Sequence, residues 1–280
     1  MARIGPGLIT ACVVIGPGSI LTSSKTGANH GFTMAWVVVV AVCFMMAFLV
    51  MGAKLGVMAG QSTGNLITQR TGRWLAVAIG VGVFFISATF QFGNNLGVDS
   101  AFAVYLDELD VSYKGLFEYV VVAFNVLSIA FLFGFRNLYR ALERLMMVLV
   151  ALLLICFAAN LTFAFMNSQP APGEVLRGFV PPNPRTTESR LDWSLLGLVG
   201  TTFVITAAYY QAYLVQQKGW GREELADGVV DARISAILMV LITLMIMFTS
   251  AAMLRGQTLE KVGQVAEQLK PLFGEKGRIF

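Results

Sequence analysis

Charge is scarce in this chain. Only 13% of its 280 residues are Asp, Glu, Lys or Arg, while 56% are hydrophobic and the mean hydropathy is +0.72. Soluble domains carry about 25% charged residues, so the composition excludes an ordinary water-soluble fold and points to an integral membrane protein. The net charge of +4 is mild, with no dense Lys/Arg patch, which argues against a nucleic-acid partner. Histidine is scarcer still. His30 stands alone beside a membrane boundary, and a metal site needs several partners close together. The three cysteines, Cys12, Cys43 and Cys156, each sit in an apolar run with no CxxC spacing. They read as small hydrophobes with no metal or redox role. No nucleophile–base pair and no intramembrane His/Glu cluster stands out, so a membrane enzyme ranks last among the function classes, and no cofactor is expected.

Long apolar runs are abundant. A spanning helix needs roughly 20 apolar residues, and stretches 7–25, 32–54, 74–98, 115–135, 142–166, 194–216 and 229–254 answer that need. Arg3 ahead of the first run gives it the look of a signal peptide, but there is no clean small-residue cleavage site, so it reads as a first transmembrane helix. With the N-terminus inside, the cytoplasmic loops hold Arg3, then Lys54, Arg70 and Arg73, then Arg136, Arg140 and Arg144, then Lys218 and Arg222. The chain is therefore expected in the cell membrane, multi-pass, with a cytoplasmic N-terminus and the bilayer as its constant partner. The stretch 167–192 reads as an external loop and 255–280 as an amphipathic tail.

Glycine and proline interrupt the first run at Gly16-Pro17-Gly18, and a polar group of Ser19, Thr22, Ser23, Ser24 and Lys25 follows. Inside a membrane, unwound backbone is tolerated where it lines a cavity, and transporters with inverted repeats bind substrate at such broken helices. A packing kink is the plainer alternative. A second sign is internal: 7–18 (GLITACVVIGPG) aligns without gaps on 197–208 (GLVGTTFVITAA), matching Gly7/Gly197, Leu8/Leu198, Val14/Val204 and Ile15/Ile205. This places repeat starts at the first and sixth spans. In the second copy Thr201, Thr202, Thr206 and Tyr209 fall at helical spacing, either lining a polar path or glueing helices together.

These stretches resemble the Nramp family of divalent metal transporters. "GPGLITACVVIGPGSI" is similar to its first helix, "GLVGTTFVITAAYYQAYLVQ" to its sixth and "GFRNLYRALERLMMVLVALLLICF" to its fourth-to-fifth region. The resemblance implies an all-α integral membrane protein with the LeuT-type inverted-repeat fold, truncated after the seventh helix. On that reading residues 1–280 form a single transmembrane domain, with a first five-helix repeat over about 4–166 and the start of a second over 193–254.

The resemblance also implies a site, and the family's site residues are missing from it. Its Asp-Pro-Gly-Asn stands here as Gly16, Pro17, Gly18 and Ser19; its Ala-Thr-Val-Met-Pro-His as Thr201, Thr202, Phe203, Val204, Ile205 and Thr206. Acidic residues of the third helix align with Gln91 and Asn94, and Gln211 stands where a second histidine is usual. Losing the carboxylate and the thioether removes the strong and soft ligands for a dehydrated transition-metal ion. Losing His, Asp and Glu removes a titratable relay. Lys25 is a further departure, read either as a fixed charge in place of a coupling cation or as a snorkelling side chain. Gln91, Asn94 and Asn95, with Asn125, make a possible polar pathway or interhelical glue.

The expected function is a secondary transporter or facilitator on this scaffold. It would be without proton coupling and without a standard metal centre, and would carry a weakly held, hydrated divalent cation such as Mg²⁺ or a small uncharged or zwitterionic solute. The alternative is a non-transporting membrane sensor or scaffold.

Overall fold

The computed structural model describes residues 5–108, 117–134, 137–182, 193–259 and 262–265, and among them every regular element is helical. The first run gives α1 (Pro6–Val14) and α2 (Pro17–His30), bent by 60°. Then come α3 (Ala35–Ala59), α4 (Thr63–Thr71), α5 (Arg73–Glu108), α6 (Phe117–Gly134) and α7 (Leu138–Ser168). A short α8 (Pro172–Arg177) precedes α9 (Trp193–Thr202), α10 (Ile205–Lys218), α11 (Leu225–Met253) and α12 (Val262–Val265). Each of the seven apolar stretches meets one of these helices or helix pairs. Among the described residues five spans are long and apolar enough to cross a membrane, six with the bent pair, and α6 adds a shorter apolar helix.

Two helices were not expected. α4 lies where a plain basic loop was read; Ser62 caps it by accepting from the Asn65 amide at 3.3 Å, and its polar side chains face outward. α8 sits in the connection after α7, which is tied to the bundle by the Trp36 amide donating to the Gly178 carbonyl at 2.9 Å. The tail expected over 255–280 lies largely outside the described residues; within it α12 packs on α2 and α5.

The bundle is built around α11, which packs against α1, α2, α3 and α7. Met239, Ile242, Ile246 and Met247 of α11 meet Val38, Val42, Met45 and Leu49 of α3 in one core. Small residues let the backbones close up, as membrane packing requires. A Cβ on Gly52 would lie 2.5 Å from the Ala208 carbonyl, and one on Gly56 2.5 Å from that of Ala212, so α3 and α10 touch main chain to main chain. Gly27 seats α2 on the Met247 carbonyl of α11 in the same way. The outer faces of α5, α6 and α7 carry exposed Phe84, Phe85, Leu127, Phe133 and Ile155, an apolar surface that suits lipid or further helices.

Candidate functional site

The first helix breaks for local reasons. Pro17 has no amide hydrogen and its ring excludes a preceding helical turn. Gly16 accordingly adopts extended backbone (φ −112°, ψ −178°), and Ile15 (φ −82°, ψ 78°) forms an inverse γ-turn closed by the Gly16 amide on the Val14 carbonyl at 3.0 Å. Ser19 stitches the two halves. Its hydroxyl accepts from the Gly16 amide at 3.3 Å and donates to the Val14 carbonyl. The Val14 carbonyl at the break is therefore satisfied inside the chain. Pro17 itself rests on Gly97 of α5, which has no side chain to obstruct it.

The sixth span breaks at Phe203–Val204, between α9 and α10, and still passes as one span. It is milder than the first break, and no proline drives it. Val204, Ile205 and Thr206 are all β-branched, a run that gives up helical backbone readily. Thr201 and Thr202 are themselves helical, and the break falls immediately after them.

Between the two breaks and α5 lies a cavity of about 510 Å³. Val13, Val14, Val204 and Ala207 form its apolar side. Its polar lining is Ser87, Gln91, Asn94, Thr206, Tyr209 and Tyr210, all neutral. Gly16 stands at its rim, where a Cβ would lie 3.2 Å from the Asn94 Oδ1. Hydroxyl, amide and phenol oxygens can replace part of a solute's hydration, but they offer no fixed charge. Among the described residues no three His, Cys, Asp or Glu side chains gather to hold a metal ion.

The structure thus brings Gln91, Asn94, Val204 and Thr206 together, and sends the other sequence candidates elsewhere. Thr201 pairs with Thr22 at 3.0 Å, and Thr202 is buried in the helix bundle. Gln211 is fully buried and accepts from Thr10 Oγ1 at 2.8 Å, binding α10 to α1. Asn95 belongs to an amide cluster in which Gln91 Nε2 donates to Asn95 and Asn125 and the Asn125 amide donates to Asn95, each at 3.1 Å. Lys25 is half-buried on α2, about two turns past the break and outside the cavity lining.

One residue escaped the sequence reading. Asp231 of α11 is fully buried, and its two oxygens accept from the Gly5 and Gly7 amides at 2.8 and 2.6 Å. The signal was there: a carboxylate two residues inside an apolar span is a functional candidate by default. At a span's edge charge is common, so position in the sequence does not by itself mark this carboxylate as buried.

Comparison with known proteins gives this geometry a setting. The family model described as "Nramp: Natural resistance-associated macrophage protein-like" matches residues 7–280. The divalent metal cation transporter MntH of Latilactobacillus sakei is 26% identical over 263 residues, covering 91% of this chain and 55% of that protein. The protein of the same name from Agrobacterium fabrum is 26% identical over 289 residues, covering 98% and 59%. Among solved structures, the Eremococcus coleocola manganese transporter in complex with an aromatic bis-isothiourea substituted compound superposes with a TM-score of 0.71 at 20% identity, over 91% of this chain and 52% of that one. The fold is thus the LeuT-type arrangement of these transporters, and the chain spans little more than half the length of the curated relatives it matches.

Proposed function

The chain belongs to the natural resistance-associated macrophage protein-like family of multi-pass membrane proteins, whose named relatives are transporters rather than enzymes, and from that premise we propose that it serves solute transport through a non-standard site. The transported species is a weakly held, hydrated divalent cation or a small neutral solute. The site comprises the rim at Gly16, Pro17, Gly18 and Ser19 and the cavity residues Gln91, Asn94, Val204 and Thr206. The observation that carries this reading is the neutral polar lining of the cavity beside two broken helices. Neutral oxygens suit an ion that keeps its water, and Mg²⁺ dehydrates reluctantly. They suit a bare transition-metal ion poorly, since soft or charged ligands are absent from the lining.

The same lining carries no titratable relay for protons near neutral pH. Asp231 does not supply one in this reading, because both of its oxygens are engaged by α1 and it does not line the cavity. Transport is therefore uncoupled from the proton gradient. The family and the apolar helices support a membrane location. The cell membrane and a cytoplasmic N-terminus are the placement the basic loops favour.

The test is uptake into liposomes holding the purified protein, with Mg²⁺ and Mn²⁺ indicators and a pH-sensitive dye inside. Mg²⁺ entry without acidification is expected. Stoichiometric acidification with uptake would overturn the uncoupled reading, and saturable uptake at micromolar Mn²⁺ would overturn the non-standard site.

A further inference from the structure

We propose that Asn95 and Asn125 are positioning residues that hold the Gln91 amide with its oxygen toward the cavity, so that the α5 wall accepts hydrogen bonds and takes a cation with its water. The proposal rests on the transport reading and narrows it, from a cation or a neutral solute to the cation. Its basis is the amide cluster between α5 and α6. Gln91 Nε2 donates to Asn95 Oδ1 and to Asn125 Oδ1, and Asn125 Nδ2 donates to Asn95 Oδ1, each at 3.1 Å. A fourth bond ties the cluster to the main chain, where Asn125 Nδ2 donates to the Val121 carbonyl at 2.8 Å.

That last bond sets the direction of the others. A main-chain carbonyl only accepts, so the end of Asn125 that faces Val121 must be its nitrogen. The Asn125 oxygen then turns to Gln91, which must answer with its own NH₂. Asn95 Oδ1 receives the remaining hydrogen of each amide, so both NH₂ groups are fully spent. Turning the Gln91 amide over would set its oxygen against those of Asn95 and Asn125 with no hydrogen between them. Inside a membrane no bulk water stands by to relieve such a contact.

Helical geometry brings the other end of Gln91 to the cavity. Asn94 follows it by three residues and Asn95 by four, so on α5 they flank it on opposite sides. Gln91 and Asn94 line the cavity, while Asn95 and Asn125 lie outside the lining. The Gln91 nitrogen is therefore spent on the side away from the cavity, and its Oε1 accepts from no described residue. A hydrated cation turns the hydrogens of its water outward, and a bare cation is itself positive. Either form meets an oxygen well and an NH₂ group badly. The alternative is that the cluster only glues α5 to α6.

Calorimetry with Mg²⁺ on the purified protein separates the two. Asn125→Leu removes the oxygen that holds the Gln91 NH₂ and frees the amide to turn. It is expected to weaken Mg²⁺ binding about fivefold, the scale of one hydrogen bond. Asn95→Ala releases the same amide from its other acceptor and should act in the same direction; it carries the test should Asn125→Leu fail to fold. Gln91→Glu has an oxygen at each end and no orientation to lose. Either change made on that background should therefore cost less than about twofold, whereas loss of helix glue would cost the same on both backgrounds. Equal losses on the two backgrounds, or Mg²⁺ binding that neither change weakens, would overturn the positioning role and leave the transport reading standing. A parent protein that binds no Mg²⁺ would overturn both.

Discussion

The hydroxyl oxygens of Thr22 and Thr201 lie 3.0 Å apart, joining the second half of the first broken helix to the last turn before the second break. Each hydroxyl has one proton, so one of the pair donates across the gap and the other donates within its own helix, Thr201 to the Gly197 carbonyl at 2.8 Å or Thr22 to the Gly18 carbonyl at 3.0 Å. Gly197 makes room, since a Cβ there would sit 2.9 Å from Thr22 Cγ2. The two breaks are thus mechanically linked on the side away from the cavity lining. Thr22→Val and Thr201→Val, made singly and together, should show a coupling of about 0.6 kcal/mol, the usual worth of an interhelical hydrogen bond in a membrane protein. Reversible unfolding in detergent measures it, and strict additivity would deny the link.

Ser19 should matter more than its size suggests. Ser19→Ala removes the hydroxyl that bridges the Gly16 amide and the Val14 carbonyl. A loss of about 1 kcal/mol is expected, because the Val14 carbonyl keeps its bond from the Gly16 amide. Ser19→Thr, which keeps the hydroxyl, should recover part of that loss in the same unfolding measurement.

Glycine substitutions should split by place. Gly52→Ala puts a methyl 2.5 Å from the Ala208 carbonyl, a backbone atom that cannot yield cheaply; a loss of about 1–3 kcal/mol is expected. Gly80→Ala on α5 meets nothing within 4 Å and should be neutral or stabilise by up to about 1 kcal/mol through helix propensity. Thermal unfolding of the two variants side by side distinguishes them.

Metal affinity should be programmable at the rim. Calorimetry is expected to find Mn²⁺ binding weaker than micromolar, since micromolar affinity amounts to about −8 kcal/mol and the cavity lining is neutral. The double change Gly16→Asp and Val204→Met supplies a carboxylate beside Asn94 and a thioether in the cavity wall. It should tighten Mn²⁺ binding by about tenfold or more while leaving Mg²⁺ less affected, because the thioether favours the softer ion. Equal gains for both ions would mean that charge alone sets affinity here.

The sequence alone determined the class of protein, the seven apolar stretches and the place of the first break. Those features are local: hydropathy sets a span, and Pro17 between two glycines breaks a helix whatever surrounds it. Tertiary structure decided which polar side chains share a cavity. On helices apolar almost all round, composition cannot say which way a residue turns, so Thr206 and Gln211 look equivalent in sequence. In the fold one faces the cavity and the other is spent on Thr10. Asp231 makes the same point over a longer range. Its partners, the Gly5 and Gly7 amides, lie 226 and 224 residues away along the chain, and only the packing of α1 on α11 turns a boundary carboxylate into a buried one.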